Sequence, residues 1–151
     1  MNHSRRKAIQ SGGGLIAVLL AAGIISPGAA LAQSDPFTIK SLAEAMRAVG
    51  GQNLTPSDAI IIKAPAIAEN GAVVPVAVES KLPGTESITL FVEKNPTPLV
   101  GSFGIPSGTV GSVSTRVKMG QTSDVYALVK ADGRFYVAKK EIKITLGGCG
   151  G

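Results

Sequence analysis

The segment Val125-Tyr126-Ala127-Leu128-Val129-Lys130 is joined to Phe135-Tyr136-Val137-Ala138-Lys139 through a turn at Asp132-Gly133. Asp-Gly between two strand-like runs is the strongest short-range signal of a β-hairpin, because both central residues of the favoured two-residue turn take a positive φ. Ile142 to Leu146 continues the second arm and completes the sheet. This part of the chain therefore predicts two long antiparallel strands.

Other short segments also have the character of β-strands, in most cases with apolar and polar residues alternating with a period of two. They are separated by Gly- and Pro-rich turns, and Pro75 indicates a strand edge or a bulge. Residues 101–108 are rich in glycine, but no Gly-Lys-Ser/Thr follows, so a hairpin loop is favoured over a phosphate cradle. About seven strands predict a mainly β protein, an immunoglobulin-like antiparallel β-sandwich. The segments are Ile60–Ile62, Ala72–Glu79, Ile88–Glu93, Val113–Met119 and the two arms of the hairpin.

One N-terminal helix precedes the strands. Ser41-Leu42-Ala43-Glu44 matches a capping box. Leu42, Ala45, Met46 and Val49 recur at helical spacing, and Gly50-Gly51 ends the pattern. The sequence predicts a helix over about residues 41–49 whose apolar stripe packs against the core.

The first 32 residues have the features of an export signal. Arg5-Arg6 lies in a basic start, the apolar stretch Leu15–Ile25 follows, and Ala30-Leu31-Ala32 is an A-x-A cleavage site. The adjacent arginines favour the Tat route over an ordinary Sec signal, and either route delivers the protein outside the cytoplasm, so we expect a periplasmic location. We expect residues 1–32 to be a Tat-type signal peptide, residues 33–146 the β-sandwich domain, and residues 147–151 a separate arm.

Removal of that signal narrows the possible chemistry. It takes three basic residues and no acidic one, so the formal charge falls from +5 to +2, and the support for nucleic-acid binding falls with it. It also takes His3, the only histidine. Without histidine a Ser-His or Cys-His pair cannot form, and the usual zinc, copper and haem sites lack their ligands. We expect no metal, no cofactor, no catalytic residue and no membrane span.

The arm itself is Gly147-Gly148-Cys149-Gly150-Gly151, and it contains the only cysteine of the chain. Glycine has the widest backbone freedom of any residue, and nothing in the arm has a side chain that could anchor it to a core. A lone cysteine in an exported protein indicates an intermolecular bond or a reactive thiol. A buried inert cysteine is disfavoured by the four glycines. Cys149 is therefore the candidate functional residue, on a flexible arm formed by Gly147, Gly148, Gly150 and Gly151.

These residues resemble the SoxY family, the sulfur-carrier subunits of the bacterial Sox system of thiosulfate oxidation. The arm is the most specific match. The export signal and four body segments are similar as well: Ile67-Ala68-Glu69-Asn70-Gly71, Val74-Pro75-Val76, Val92-Glu93-Lys94-Asn95-Pro96 and Thr115-Arg116-Val117-Lys118-Met119.

The resemblance implies a non-catalytic carrier that holds sulfur intermediates covalently on Cys149. It implies a c-type cytochrome that couples thiosulfate to the thiol, a manganese hydrolase that releases sulfate and leaves a cysteine persulfide, and a sulfur dehydrogenase. It also implies a heterodimer with SoxZ, a second small β-sandwich that has no export signal.

Three other functions fit parts of the pattern. The chain could be a structural or binding module that is cross-linked through Cys149. It could be a ubiquitin-like carrier with a thiocarboxylate, although that chemistry needs cytoplasmic ATP. Lipidation of Cys149 is a third alternative, but a CaaX box needs cysteine one position earlier.

Overall fold

Nine strands and one α-helix build residues 35–145, the part of the chain that the computed structural model describes. The proposed signal peptide (1–32) and glycine arm (147–151) lie outside the described residues. In chain order the elements are a 3₁₀ turn (Pro36–Thr38), α1 (Leu42–Ala48), β1 (Leu54–Pro56), β2 (Ile60–Lys63), β3 (Ile67–Ala68), β4 (Val74–Ser80), β5 (Thr85–Val92), β6 (Leu99–Gly104), β7 (Ser112–Val117), β8 (Ser123–Ala131) and β9 (Arg134–Ile144).

The strands form two sheets that pack face to face. The large sheet has the order β1-β9-β8-β5-β6, and β3 also pairs with β9. The small sheet has the order β2-β4-β7. The pairings are antiparallel except that β1 and β3 run parallel to β9. The predicted β-sandwich is therefore confirmed, with two short parallel additions.

The hairpin of β8 and β9 is the longest ladder of the fold. Its register runs without interruption from Ala131 opposite Arg134 to Ser123 opposite Ile142. The turn residues Asp132 and Gly133 have φ of 47° and 73°. Two consecutive positive φ values define the turn whose twist matches paired strands, so the hairpin predicted from Asp132-Gly133 is present.

The main core lies between the two sheets. Alternate residues of β5 and β8 face alternate residues of β4, and nearly all of them are fully buried. Branched and β-branched apolar residues pack well on a pleated surface, and each buried side chain of this size stabilises the fold by about 1.5–3 kcal/mol. The central members are Val74, Val76, Val78, Ile88, Leu90, Val92, Val125, Ala127 and Val129.

A second core lies on the other face of the large sheet, under α1. Ala45 and Met46 of the helix pack with Phe91, Leu99 and Leu128. The Ser41 side chain accepts a hydrogen bond from the Glu44 N–H at the helix start, as the capping pattern predicts. Because the helix covers this face, Phe91 is as buried as its neighbours on the opposite face.

Three features differ from the sequence expectation. Residues 101–104 belong to strand β6, so only the second half of the predicted loop at 101–108 is a loop. The short strands β1 and β3 were not predicted, because two or three residues show no periodicity. Pro75, expected at a strand edge or a bulge, lies in β4, the central strand of the small sheet. Because β2 ends opposite Ala77, β4 pairs at Pro75 with β7 alone.

The second core gives a direct test of the helix-covered face. Phe91→Ala should destabilise the domain by about 3–5 kcal/mol, because it leaves a cavity between the sheet and α1. The matched change Phe37→Ala removes a ring that is 50% exposed and should shift stability by only about 0.5 kcal/mol. Urea unfolding of both variants measures the difference. Equal effects would contradict the packing of Phe91 beneath the helix.

Candidate functional site

Cys149 and its four glycines lie outside residues 35–145, so the part of the site that the structure describes is the end of the chain segment that leads to them. This end is the last residue of β9, Ile144, followed by Thr145. We call the residues that hold it the arm root: Ala68, Gly71, Met119, Thr122 and Ile144. The position of the arm root decides from which part of the surface Cys149 can act.

Backbone hydrogen bonds fix the end of β9 on one side. β3 pairs with it in parallel, with Ile67 opposite Lys143 and Ala68 opposite Ile144. The Lys143 N–H donates to the Ala66 carbonyl at 3.0 Å, and the Thr145 N–H donates to the Ala68 carbonyl at 3.1 Å. The ladder therefore continues to the last described residue.

A threonine side chain fixes the other side. The Ile144 N–H donates to Thr122 Oγ1 at 3.0 Å. The antiparallel register with β8 ends earlier, at Ser123 opposite Ile142. Thr122 thus supplies the acceptor that the next backbone carbonyl of a longer strand would otherwise provide, and the amide of Ile144 remains satisfied.

A close backbone contact completes the arm root. The Met119 N–H donates to the Gly71 carbonyl at 2.6 Å. A Cβ at position 71 would collide with the Met119 carbonyl oxygen and would lie 3.2 Å from Ile144 Cγ2. Only glycine allows this approach, so Gly71 brings the loop before β4, the loop after β7 and the end of β9 together.

The three lysines of β9, Lys139, Lys140 and Lys143, do not form a single positively charged surface. Lys139 Nζ binds Asp124 Oδ2 at 2.9 Å and lies over the ring of Tyr126. Lys140 Nζ donates instead to the Ala64 carbonyl at 2.7 Å. Lys143 is exposed beside the arm root. Because side chains alternate along a strand, Lys140 faces away from the other two.

The pKa values of Tyr126 and Lys139 are both raised, mainly by causes outside the pair. Burial raises the pKa of the Tyr126 phenol, and the negative charge of Glu93 adds to the effect. The hydrogen bond from Lys139 to Asp124 raises the pKa of the Lys139 ammonium. Both groups keep their ordinary charge at neutral pH, so the cluster is a structural contact on the outer face of the large sheet.

Surface cavities of about 520, 510 and 530 Å³ lie, respectively, between β9 and the β1–β2 connection, at the end of the sandwich opposite the arm root, and beside the β8–β9 turn. A smaller one, of about 380 Å³, is lined in part by Thr122 of the arm root. Within residues 35–145, no three His, Cys, Asp or Glu side chains come together as metal ligands would. In the same range no helix is long and apolar enough to cross a membrane.

The sequence predicts the arm, but it does not predict the residues that hold the end of β9. For Gly71 the sequence does give an indication, because Asn70-Gly71 is a dipeptide typical of turns. Nothing in the sequence indicates the role of Thr122, because that role depends on the residue at which the pairing of β8 with β9 ends. The same holds for Ala68, because its strand is two residues long.

Known proteins are similar to this chain in both sequence and fold. A family model described as "Sulfur oxidation protein SoxY" matches residues 45–149. The solved structure of the sulfur carrier protein SoxY from Chlorobium limicola f. thiosulfatophilum is similar, with 40% identity and a TM-score of 0.65; the match covers 70% of this chain and 97% of that one. No curated protein sequence matches.

A second solved structure shows likeness of fold alone. The superoxide reductase (neelaredoxin) from Ignicoccus hospitalis is 19% identical, with a TM-score of 0.54. The match covers 71% of this chain and 100% of that one. At this identity the likeness is limited to the β-sandwich.

The arm root yields a test that needs no partner. Thr122→Val keeps the shape of the side chain but leaves the Ile144 N–H without its acceptor, which should cost about 1–3 kcal/mol. Amide hydrogen exchange should accelerate at Ile144 and Thr145. Thr109→Val, which loses only a loop contact to the Pro106 carbonyl, is the control. Unchanged exchange at Ile144 would contradict the role of Thr122.

Proposed function

The chain belongs to the SoxY family of sulfur oxidation proteins, and on this premise we propose that it is a periplasmic carrier that holds sulfur intermediates covalently on Cys149. The observation that carries the proposal is the pattern Gly147-Gly148-Cys149-Gly150-Gly151, which begins two residues after Thr145, the last described residue. The family match extends as far as residue 149, so it includes this cysteine.

The chemistry requires a thiolate, since the deprotonated sulfur is the nucleophile. Thiosulfate joins the thiol through a new S–S bond, and two electrons and one proton leave. Hydrolysis of the terminal sulfonate then uses one water, releases sulfate and leaves a persulfide on Cys149. Further oxidation of the outer sulfur follows. The carrier supplies the attachment atom throughout, and the electrons and the water are handled by other proteins.

The proposed partners follow from that division of work. A c-type cytochrome accepts the electrons of the first step, a manganese hydrolase performs the second, and a sulfur dehydrogenase oxidises the outer sulfur. A SoxZ-like small β-sandwich forms a heterodimer with this chain. The carrier itself is not an enzyme and binds no cofactor in this proposal.

The described fold supports the proposal because it holds the end of β9, from which the proposed arm continues, in a fixed place. The end of β9 is held by β3, by Thr122 and by the contact at Gly71. Any mobility in the proposed swinging arm (147–151) therefore begins at a defined point. The glycines add no side-chain bulk, so the thiol can enter a narrow cleft.

Export precedes function in this proposal. Residues 1–32 act as a Tat-type signal peptide, and residues 33–146 form the mature carrier domain. Tat export agrees with a subunit pair that folds and assembles before it crosses the membrane. Delivery to the periplasm brings Cys149 to the reduced sulfur compounds that enter the cell envelope.

Replacement of the cysteine tests the carrier function. Cys149→Ser should fold with unchanged stability but should reduce thiosulfate-dependent turnover with the purified Sox enzymes to background. Urea unfolding and sulfate release are measured on the same sample, and mass spectrometry of the C-terminal peptide identifies the bound sulfur species in wild type. The relocated thiol Cys149→Ser/Ser107→Cys, on an exposed loop, is the control for thiol reactivity alone. Turnover by either variant would refute the proposal.

Replacement of the glycines tests the arm. Gly147→Val/Gly148→Val should favour extension of β9, because β-branched residues restrict the backbone and prefer strands. The thiol should still react with a small reagent at the wild-type rate. Turnover with partner enzymes should fall by roughly 10–100-fold, since a displaced reacting atom loses its alignment.

The control for this variant changes glycine to valine elsewhere. Gly104→Val at the end of β6 is suitable, because no atom lies within 4 Å of a Cβ at that position and it lies at the far end of the sandwich from the arm root. It should leave both rates unchanged. If the arm variant also keeps full turnover, the glycines do not serve access to partner sites.

A further inference from the structure

Two exposed apolar side chains lie beside the arm root, and we infer that they form a docking rim for the enzymes that accept sulfur from Cys149. We call Ile67 and Val73 the root rim. The inference rests on the proposed function, since it assigns the surface with which that same site meets its partners. The occupant is a folded enzyme with an apolar margin around the cleft that receives the thiol.

The length of the arm requires contact near this surface. Cys149 lies four residues beyond Thr145, and an extended chain spans at most about 3.6 Å per residue. The thiol therefore cannot act more than about 15 Å from the end of the described chain. A protein that takes the sulfur into a buried cleft must bring its cleft margin close to the sandwich around the arm root.

The apolar exposure at this place is specific. Four large hydrophobic side chains are at least half exposed among the described residues: Phe37, Ile67, Val73 and Val110. Ile67 is 58% exposed and Val73 is 50% exposed. Exposed apolar residues are normal on a protein surface, so the inference rests on the place of these two, each within two residues of an arm-root residue in the chain.

Both members of the rim are attached to the arm root itself. Ile67 lies in β3, directly opposite Lys143 of β9. Val73 lies two residues after Gly71, and its N–H donates to the Asn70 carbonyl in the turn that contacts Ile144. The rim therefore has a fixed position relative to the start of the arm, as a docking surface for several enzymes requires.

The charges around the rim do not favour one electrostatic partner. Glu69, Lys118 and Lys143 are all exposed there, so both signs are present. The rim thus contributes contact rather than long-range attraction. Two side chains supply a small contact, which suits a carrier that must leave each enzyme after one step.

Val110 provides a matched control at the opposite end of the molecule. It is 77% exposed and precedes Gly111, which contacts Thr85 near the start of β9. β9 has 11 residues, so about 35 Å separates its two ends. Val110 has similar chemistry and greater exposure, but the arm cannot reach that end.

The experiment compares Ile67→Ser/Val73→Ser with Val110→Ser in steady-state assays. The purified thiosulfate-coupling cytochrome and manganese hydrolase are the probes, and the carrier is the varied substrate. The rim variant should raise KM by about tenfold with kcat unchanged, because lost contacts weaken binding of ground state and transition state equally. Val110→Ser should keep both constants. If the double variant is unstable, Val73→Ser alone is used, because Val73 lies outside the strands. It should raise KM by a smaller factor.

Each outcome has one meaning. Equal KM values for the rim variant and the Val110→Ser control would overturn the inference while leaving the carrier function intact. A change in oligomeric state by sedimentation, with or without a change in KM, would also overturn it, because the rim would then be a subunit contact. Loss of the carrier function itself is recognised separately, as absence of turnover with the wild-type protein. Reaction of Cys149 with a small thiol reagent should be the same in all variants.

Discussion

The pairing of β9 on both of its edges is the constraint on which the rest of the structure depends. β8 pairs with it over nine residue pairs, and β1 and β3 pair with the opposite edge near its two ends. Residues 138–142 have no strand partner on that second edge, but the end of β9 that leads to Cys149 is hydrogen-bonded on both sides, by β3 and by Thr122. The segment that leads to Cys149 therefore starts from the interior of the large sheet rather than from a terminal edge.

The large sheet holds this position because both of its faces are covered. The small sheet covers one face with the valines of β4, and α1 covers part of the other through Met46. The apolar residues of β5 and β8 are therefore buried on both faces of the large sheet. The helix thus contributes by packing on Phe91, Leu99 and Leu128, which stabilises the sheet from which β9 extends.

The arm root is where packing and proposed function meet. Thr122 and Gly71 fix the last residues of β9 by one side-chain hydrogen bond and one close backbone approach. The same loops present the root rim of Ile67 and Val73 around the outlet. A single set of short contacts thereby sets both the origin of the arm and the surface that surrounds it.

The sequence by itself determined the features that depend on local chemistry. Asp132-Gly133 predicted the hairpin because few other residues accept two positive φ values, and Ser41 with Gly50 predicted the limits of the helix. The glycines around Cys149, together with the resemblance they carry, pointed to the family that the comparisons establish.

Tertiary structure decided what depends on distant partners. β3 exists only because Lys143 and Ile144 lie beside it, and β6 forms from a glycine-containing segment only because β5 offers a ladder and Thr89 pairs with Ser102 at 2.8 Å. Phe91 is buried only because α1 lies over it. Thr122 acquires its role where two strands separate, 22 residues before Ile144. Such contacts join residues far apart in the chain, so no local pattern encodes them, and the folded sheet alone brings the hydrogen-bonding partners within reach.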